Sequence, residues 1–220
     1  MKFNIITIFP EIFLSYFNES IIKKAQEKKV ISIKIHNLRN FTTDKRHTVD
    51  DTVYGGGAGM LLKIEPLYKA IKKITKPKKI AGQKIILLSA KGKTWNQSLA
   101  KKYSKLKNIT LICGRYEGVD ERIKNFIDEE ISIGDYVLTG GEIGAMTIVD
   151  SITRLIPKVL GNKESLADES HNETGILEYP QYTKPAEFKV GNKKYKVPKE
   201  LLSGNHQLIA DWKKKNLKKK

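Results

Sequence analysis

A single cysteine in 220 residues, Cys113, excludes an intramolecular disulfide and any structural zinc site built on several thiolates. No uninterrupted apolar run approaches the ~18 residues of a membrane span. The opening MKFNIITIFPEIF is apolar, but Pro10 and Glu11 interrupt it and no small-residue cleavage site follows. Two nucleotide signatures are also missing: no G-x-G-x-x-G opens a helix, and no G-x-x-x-x-G-K-[ST] phosphate loop occurs. Acidic residues are scarce, with 24 Asp and Glu against 41 Lys and Arg, a formal net charge of +17. So basic a surface attracts polyanions, of which nucleic acid is the commonest, although scattered solvated lysines give the same total. The lone cysteine and the missing membrane span predict a soluble, cytoplasmic protein.

What is present reads as globular, with 40% hydrophobic and 30% charged residues. The length suits one domain, or one domain with a smaller neighbour. Apolar runs at 3–9, 31–35, 84–88, 109–113 and 136–138 predict strands. Helical patterns at 10–27, 65–73, 96–103, 120–126 and 145–156 lie among them, and this alternation predicts an α/β fold on a parallel sheet. After Pro157 the texture changes to GNKESLADESHNETG, which is polar and without periodicity. We therefore expect a first domain over 1–160, a linker over 161–174 and a small domain over 175–220. The end, DWKKKNLKKK, reads either as a solvated tail or as an RNA-steering one.

Three strand ends are rich in glycine: LLSAKGK (87–93), LICGRYEGVDER (111–122) and SIGDYVLTGGEIGAM (132–146). Ligands of open α/β sheets sit beyond the carboxyl ends of strands, so three such ends suggest one shared pocket. VYGGGAGM (53–60) lacks the lysine of a phosphate cradle and by itself reads as a flexible loop. Arg115, Glu117, Asp120, Glu121 and Arg122 crowd one turn, where Asp120 could be simply a helix N-cap. Arg154 either complements a helix carboxyl terminus or is a fixed cation beside the pocket. Asp168, Glu169 and His171 read from composition as solvated linker residues, and Cys113 as core.

RHTVDDTVYGGGAGM (46–60), LICGRYEGVDERI (111–123), SIGDYVLTGGEIGAM (132–146), SITRLIPKVLG (151–161) and GILEYPQYTKP (175–185) occur in the order in which they stand in the bacterial tRNA (guanine-N1)-methyltransferases, a SPOUT-class family that the chain resembles over most of its length. The resemblance implies a parallel sheet with a deep trefoil knot in its carboxyl-terminal part, plus a small, mainly helical carboxyl-terminal domain. It implies a cytoplasmic homodimer that methylates N1 of guanosine 37 in tRNA from S-adenosylmethionine, with Mg²⁺ required for activity. No residue is assigned to a metal.

Position by position, the resemblance places Leu87, Leu88, Ser89, Ala90, Gly114, Tyr116, Glu117, Ile133, Gly134, Asp135, Tyr136, Val137, Leu138, Gly140 and Gly141 around the cofactor. His47, Asp50, Tyr54, Gly59 and Ser170 face the substrate, and LLSGNH (201–206) belongs to the tRNA-supporting domain. N1 of neutral guanine carries a proton, so a carboxylate base is needed, and a cation at O6 favours the transition state. The family has Asp-Ser where this chain has Asp168-Glu169-Ser170. Register makes Glu169 the base and Asp168 its rival, with Arg154 at O6. Two alternatives share the fold: a non-catalytic RNA-binding protein, and a SPOUT enzyme acting on ribosomal RNA, which should lack the acidic-serine motif and the YGGGAGM loop.

Overall fold

A computed structural model describes residues 1–75, 81–160, 170 and 175–219. The chain divides into two compact units, Met1–Gly161 and Asn162–Lys220. In the first, β1 (Lys2–Thr7), β2 (Ser32–Asn37), β5 (Gln83–Thr94), β6 (Asn108–Cys113) and β7 (Glu129–Ser132) form one five-stranded sheet in the order β2-β1-β6-β5-β7. Every pairing in it is parallel, so all carboxyl ends open on one edge. A short antiparallel pair, β3 (Asp50–Thr52) with β4 (Met60–Leu62), lies apart from this sheet.

Three of the apolar runs, those in β1, β5 and β6, are buried on both faces. Phe3, Ile5, Ile86, Leu88 and Leu111 face one core with Ala145, Ile148, Val149 and Ile152 of α5 (Glu142–Thr153) and Ile22 of α2 (Ser20–Glu27). The alternate residues Ile6, Leu87 and Ile112 face a second core against Leu67, Ala70 and Ile71 of α3 (Ile64–Ile74). Each such Leu or Ile contributes about 1.5–3 kcal/mol by leaving water. α4 (Gln97–Tyr103) starts at Asn96, whose side chain accepts from Leu99 N at 2.9 Å, a side-chain N-cap.

Two expectations need correction. Residues 136–138 are not a strand: the chain bends over 133–136, and the fifth strand is β7, just before it. Tyr136 and Val137 are exposed, so this apolar triplet walls an open space instead of filling a core. The predicted helix over 10–27 is broken into a 3₁₀ turn (Pro10–Phe13), α1 (Leu14–Phe17) and α2, with Ser20 at φ +49° at the break. A third departure concerns β5, which runs further than its apolar part. Ile131 of β7 pairs with both Leu88 and Lys93, so residues 89–92 arch out of register between two paired segments.

The second unit was expected to be mainly helical. Its described residues hold α6 (Lys199–Leu202), α7 (His206–Lys215) and two strand pairs, β8 (Ile176–Leu177) with β11 (Lys218–Lys219) and β9 (Glu187–Val190) with β10 (Lys193–Lys196). Trp212 of α7 meets the rings of Tyr179 and Tyr182 edge-on. The LLSGNH motif is a helix stop followed by a helix start: α6 ends at Ser203, and the Asn205 side chain accepts from Gln207 N and Leu208 N at 3.0 and 3.2 Å to cap α7. Among the described residues, no helix is long and apolar enough to cross a membrane.

Candidate active site

The carboxyl ends of β5, β6 and β7 surround a cavity of about 290 Å³. All of the residues expected around a cofactor line it except Gly134 and Asp135, which sit in the bend between Ile133 and Tyr136. Five glycines, Gly114, Gly118, Gly140, Gly141 and Gly144, stand in its wall, and Gly141 shows why. A Cβ there would stand 2.8 Å from Cys113 Cα and 3.0 Å from Leu88 Cβ, neither of which can swing aside. The bare main chain of Gly140 and Gly141 is what allows this segment to lie directly on β5 and β6, and Gly141 N donates to Gly114 O at 3.0 Å to fasten it.

Beside that contact lies an ion pair that no sequence motif announced. Glu142, the first residue of α5, is 1% exposed. Its Oε2 accepts from Arg115 Nε at 2.9 Å and its Oε1 from Thr7 Oγ1 at 2.7 Å. The guanidinium also donates from Nη1 to Thr139 O at 3.2 Å, and lies over the Phe9 ring, 4.7 Å from its centroid. A buried carboxylate is tolerable only when paired and hydrogen-bonded, and here both conditions hold. The network ties the end of β1, the loop after β6 and the start of α5 together around the cavity. Read alone, Glu142 is an acidic residue in a first helical turn, and Arg115 is one of several charges in a crowded turn. Only the fold joins them. Cys113, at the same spot, is core as expected. Burial, reinforced by the Glu142 charge, pushes its thiol well up, so it stays protonated.

The glycine loop before β4 meets the cavity through one residue. Gly59, at φ +98°, lies so close to the side chain of Glu117 that a Cβ would come within 2.6 Å of its Cγ. Glu117 N donates to Met60 O at 3.1 Å, and Leu62 N to Gly118 O at 3.2 Å, so the two loops are laced together. Tyr54 is 99% exposed. Asp50 lies in β3 opposite Leu62. His47 is exposed, with Nδ1 at 3.1 Å from both Thr42 Oγ1 and Arg39 O. None of His47, Asp50, Tyr54 or Gly59 lines the cavity itself. Asp120 caps the following 3₁₀ turn and pairs with Arg122, and hydrogen bonding from that guanidinium holds its carboxyl below the usual range.

Ser170 belongs to the second unit, where its Oγ accepts from Glu178 N at 2.9 Å. Asp168, Glu169 and His171 lie outside the described residues. Arg154 is half-buried and is the C-cap residue of α5. It does not line the cavity. At 1.5 Å per residue it stands about 18 Å along the helix from Glu142. One chain therefore does not bring Arg154 to its own cavity.

Over residues 1–220 the chain matches the family model described as tRNA (Guanine-1)-methyltransferase TrmD. It is 54% identical over 220 residues to the tRNA (guanine-N(1)-)-methyltransferase of Dictyoglomus turgidum, covering 100% of this chain and 86% of the relative. The enzyme of the same name from Geobacillus kaustophilus is 51% identical over 216 residues, covering 98% and 86%. Among solved structures, the crystal structure of tRNA (m1G37) methyltransferase from Aquifex aeolicus is similar with a TM-score of 0.78 and 39% identity, over 97% of this chain and 87% of that one.

Proposed function

The chain belongs to the tRNA (Guanine-1)-methyltransferase family, and from that premise we propose that it methylates N1 of guanosine 37 in tRNA with S-adenosylmethionine as donor. The observation that carries this reading is the convergence of three glycine-bearing strand ends on one cavity. The cavity fits the donor's chemistry. Gly114, Gly140 and Gly141 line it without side chains, and a Cβ-bearing residue would not fit at 141, while Leu87, Leu88, Ile133 and Leu138 offer apolar contact. Bound there, S-adenosylmethionine supplies a methyl group on a sulfonium that leaves readily. The protein's part is to hold donor and guanine in line and to manage the N1 proton.

Glu169 accepts that proton, with Asp168 the neighbouring carboxylate that could replace it. Negative charge then develops toward O6, where a guanidinium stabilises the transition state more than the ground state. Arg154 has this role. Because it stands about 18 Å along α5 from Glu142 and does not line its own chain's cavity, the complete site needs a homodimer in which Arg154 of the partner subunit serves it. The loop of His47, Asp50, Tyr54 and Gly59 approaches the nucleotide and abuts the cavity where Gly59 lies against Glu117. The seating of 141 on 113 and 88, and the out-of-register arch at 89–92, are features in keeping with a knotted chain. Residues 1–160 carry the knotted site, 161–174 the linker with the base, and 175–220 a tRNA-binding domain. For Mg²⁺, the described residues offer no cluster of three or more His, Cys, Asp or Glu, so none is assigned to it.

The test is methyl incorporation into tRNA transcripts with guanosine 37 intact or replaced. Incorporation that requires that guanosine supports the reading. Incorporation that ignores it overturns the position, and donor binding without any incorporation leaves a non-catalytic RNA-binding protein.

A further inference from the structure

The ribbon formed by β9 and β10 has neither face covered: apart from half-buried Glu187, every residue of both strands is exposed. The register puts Phe188 opposite Tyr195 and Val190 opposite Lys193 on one face, with Glu187 opposite Lys196 and Lys189 opposite Lys194 on the other. Phe188 and Tyr195 are 59% and 57% exposed, a pair of adjoining aromatic side chains open to solvent. A cross-strand aromatic pair stabilises a hairpin modestly, and a lone two-stranded hairpin is marginal in water. That accounts for two aromatic residues standing opposite each other, but not for the charge around them. Residues 187–196 contain four lysines and one glutamate, a net charge of +3. Among the described residues, Glu187 alone answers Lys196, Lys189 and Lys194, at 3.3, 3.5 and 3.9 Å. Lys193 stands on the aromatic face with no acidic residue on that face of the ribbon.

A protein partner would have to bury ammonium groups along with the rings, and the cores of such interfaces are depleted of charge. A nucleic acid strand offers both complements, because bases stack on aromatic faces while phosphates answer the lysines. We propose that this ribbon is a stacking platform for an unpaired base of the RNA substrate, with the surplus lysine charge drawing the adjoining phosphates. The proposal rests on the tRNA reading above and names a surface that contacts it.

The experiment measures binding of a fluorescently labelled, unmethylated anticodon stem-loop RNA to the full chain by anisotropy, over a series of salt concentrations and without methyl transfer. Valine keeps the strand preference while removing the rings. The double variant Phe188→Val with Tyr195→Val is expected to weaken binding about tenfold or more at an unchanged salt slope. Tyr195→Phe, which keeps a ring, is expected to bind like the unaltered protein. Replacing Lys193, Lys194 and Lys196 by Gln should flatten the salt dependence. Unaltered affinity in the double valine variant overturns the platform, as does an equal loss in Tyr195→Phe. If the unaltered protein itself fails to bind the stem-loop, the tRNA reading is what falls.

Discussion

Arg115 and Glu142 stand 27 residues apart in sequence and meet with Nε 2.9 Å from Oε2, against a carboxylate that is almost wholly buried. Removing one member of such a pair leaves an uncompensated charge, at a typical cost of about 3–5 kcal/mol. Arg115→Ala is therefore expected to lower stability by that order in denaturant unfolding. Arg115→Ala with Glu142→Gln should recover part of the loss, since a neutral amide needs no counter-charge. A double variant no more stable than Arg115→Ala would show that the pair does not matter in this way.

Gly141→Ala tests the close approach of chain segments at the cavity. With Cys113 Cα and Leu88 Cβ both within 3.0 Å of the new methyl, the 139–141 segment must lift away. Overpacking of this kind costs about 1–3 kcal/mol. Calorimetric titration should show S-adenosylmethionine binding weakened at least tenfold, and binding of unchanged strength would mean that this segment does not wall the donor site.

The base is tested by Glu169→Gln, expected to abolish turnover while donor binding persists. Retained turnover, with loss in Asp168→Asn instead, transfers the role to Asp168.

Arg154→Ala should lower turnover by about 10²–10³, the scale for losing one preorganised donor group. Because α5 holds Arg154 far from its own cavity, mixing this variant with Gly141→Ala chains should restore activity in heterodimers that pair one intact cavity with one intact arginine. Mixed samples no more active than either parent would place both groups in the same chain.

Acid stability is expected to depend on Glu129. Its carboxylate accepts from Lys84 at 2.8 Å and from the hydroxyl of Tyr103. Burial works against its ionisation, but these hydrogen bonds together outweigh burial and hold it below its ordinary 4.5. A depressed folded-state value gives stability that is fully present above pH 4.5 and lost as the pH falls through the folded value. Glu129→Gln should therefore be less stable than the unaltered protein near neutrality, by about 1–3 kcal/mol, with the gap closing in more acidic solution. A gap that stays constant on acidification would rule the carboxylate out.

The sheet was readable because β1, β5 and β6 are buried on both faces and need continuous apolar runs. The three cavity walls were readable because main chain that must lie bare against other chain or a ligand calls for glycine. Residues 136–138 misled for a related reason, since the side chains that wall an open cavity can be as apolar as those of a core strand. The pair of Arg115 and Glu142 was invisible because its meaning depends on bringing the loop after β6 against the start of α5, a relation with no local spacing. Likewise, motif order marks Arg154 as important but carries no distance, and α5 is what separates it from its own cavity.

Cys113 gives the cavity a further property. A sulfonium methyl donor is an alkylating agent, and the strongest nucleophile a side chain can offer it is a thiolate. The chain's one sulfhydryl lies on the strand beside the cavity wall, yet it is 1% exposed and held protonated by burial and the neighbouring carboxylate. The same carboxylate that anchors Arg115 thus helps burial hold this thiol in its unreactive form, so the one sulfhydryl beside the cavity is no nucleophile.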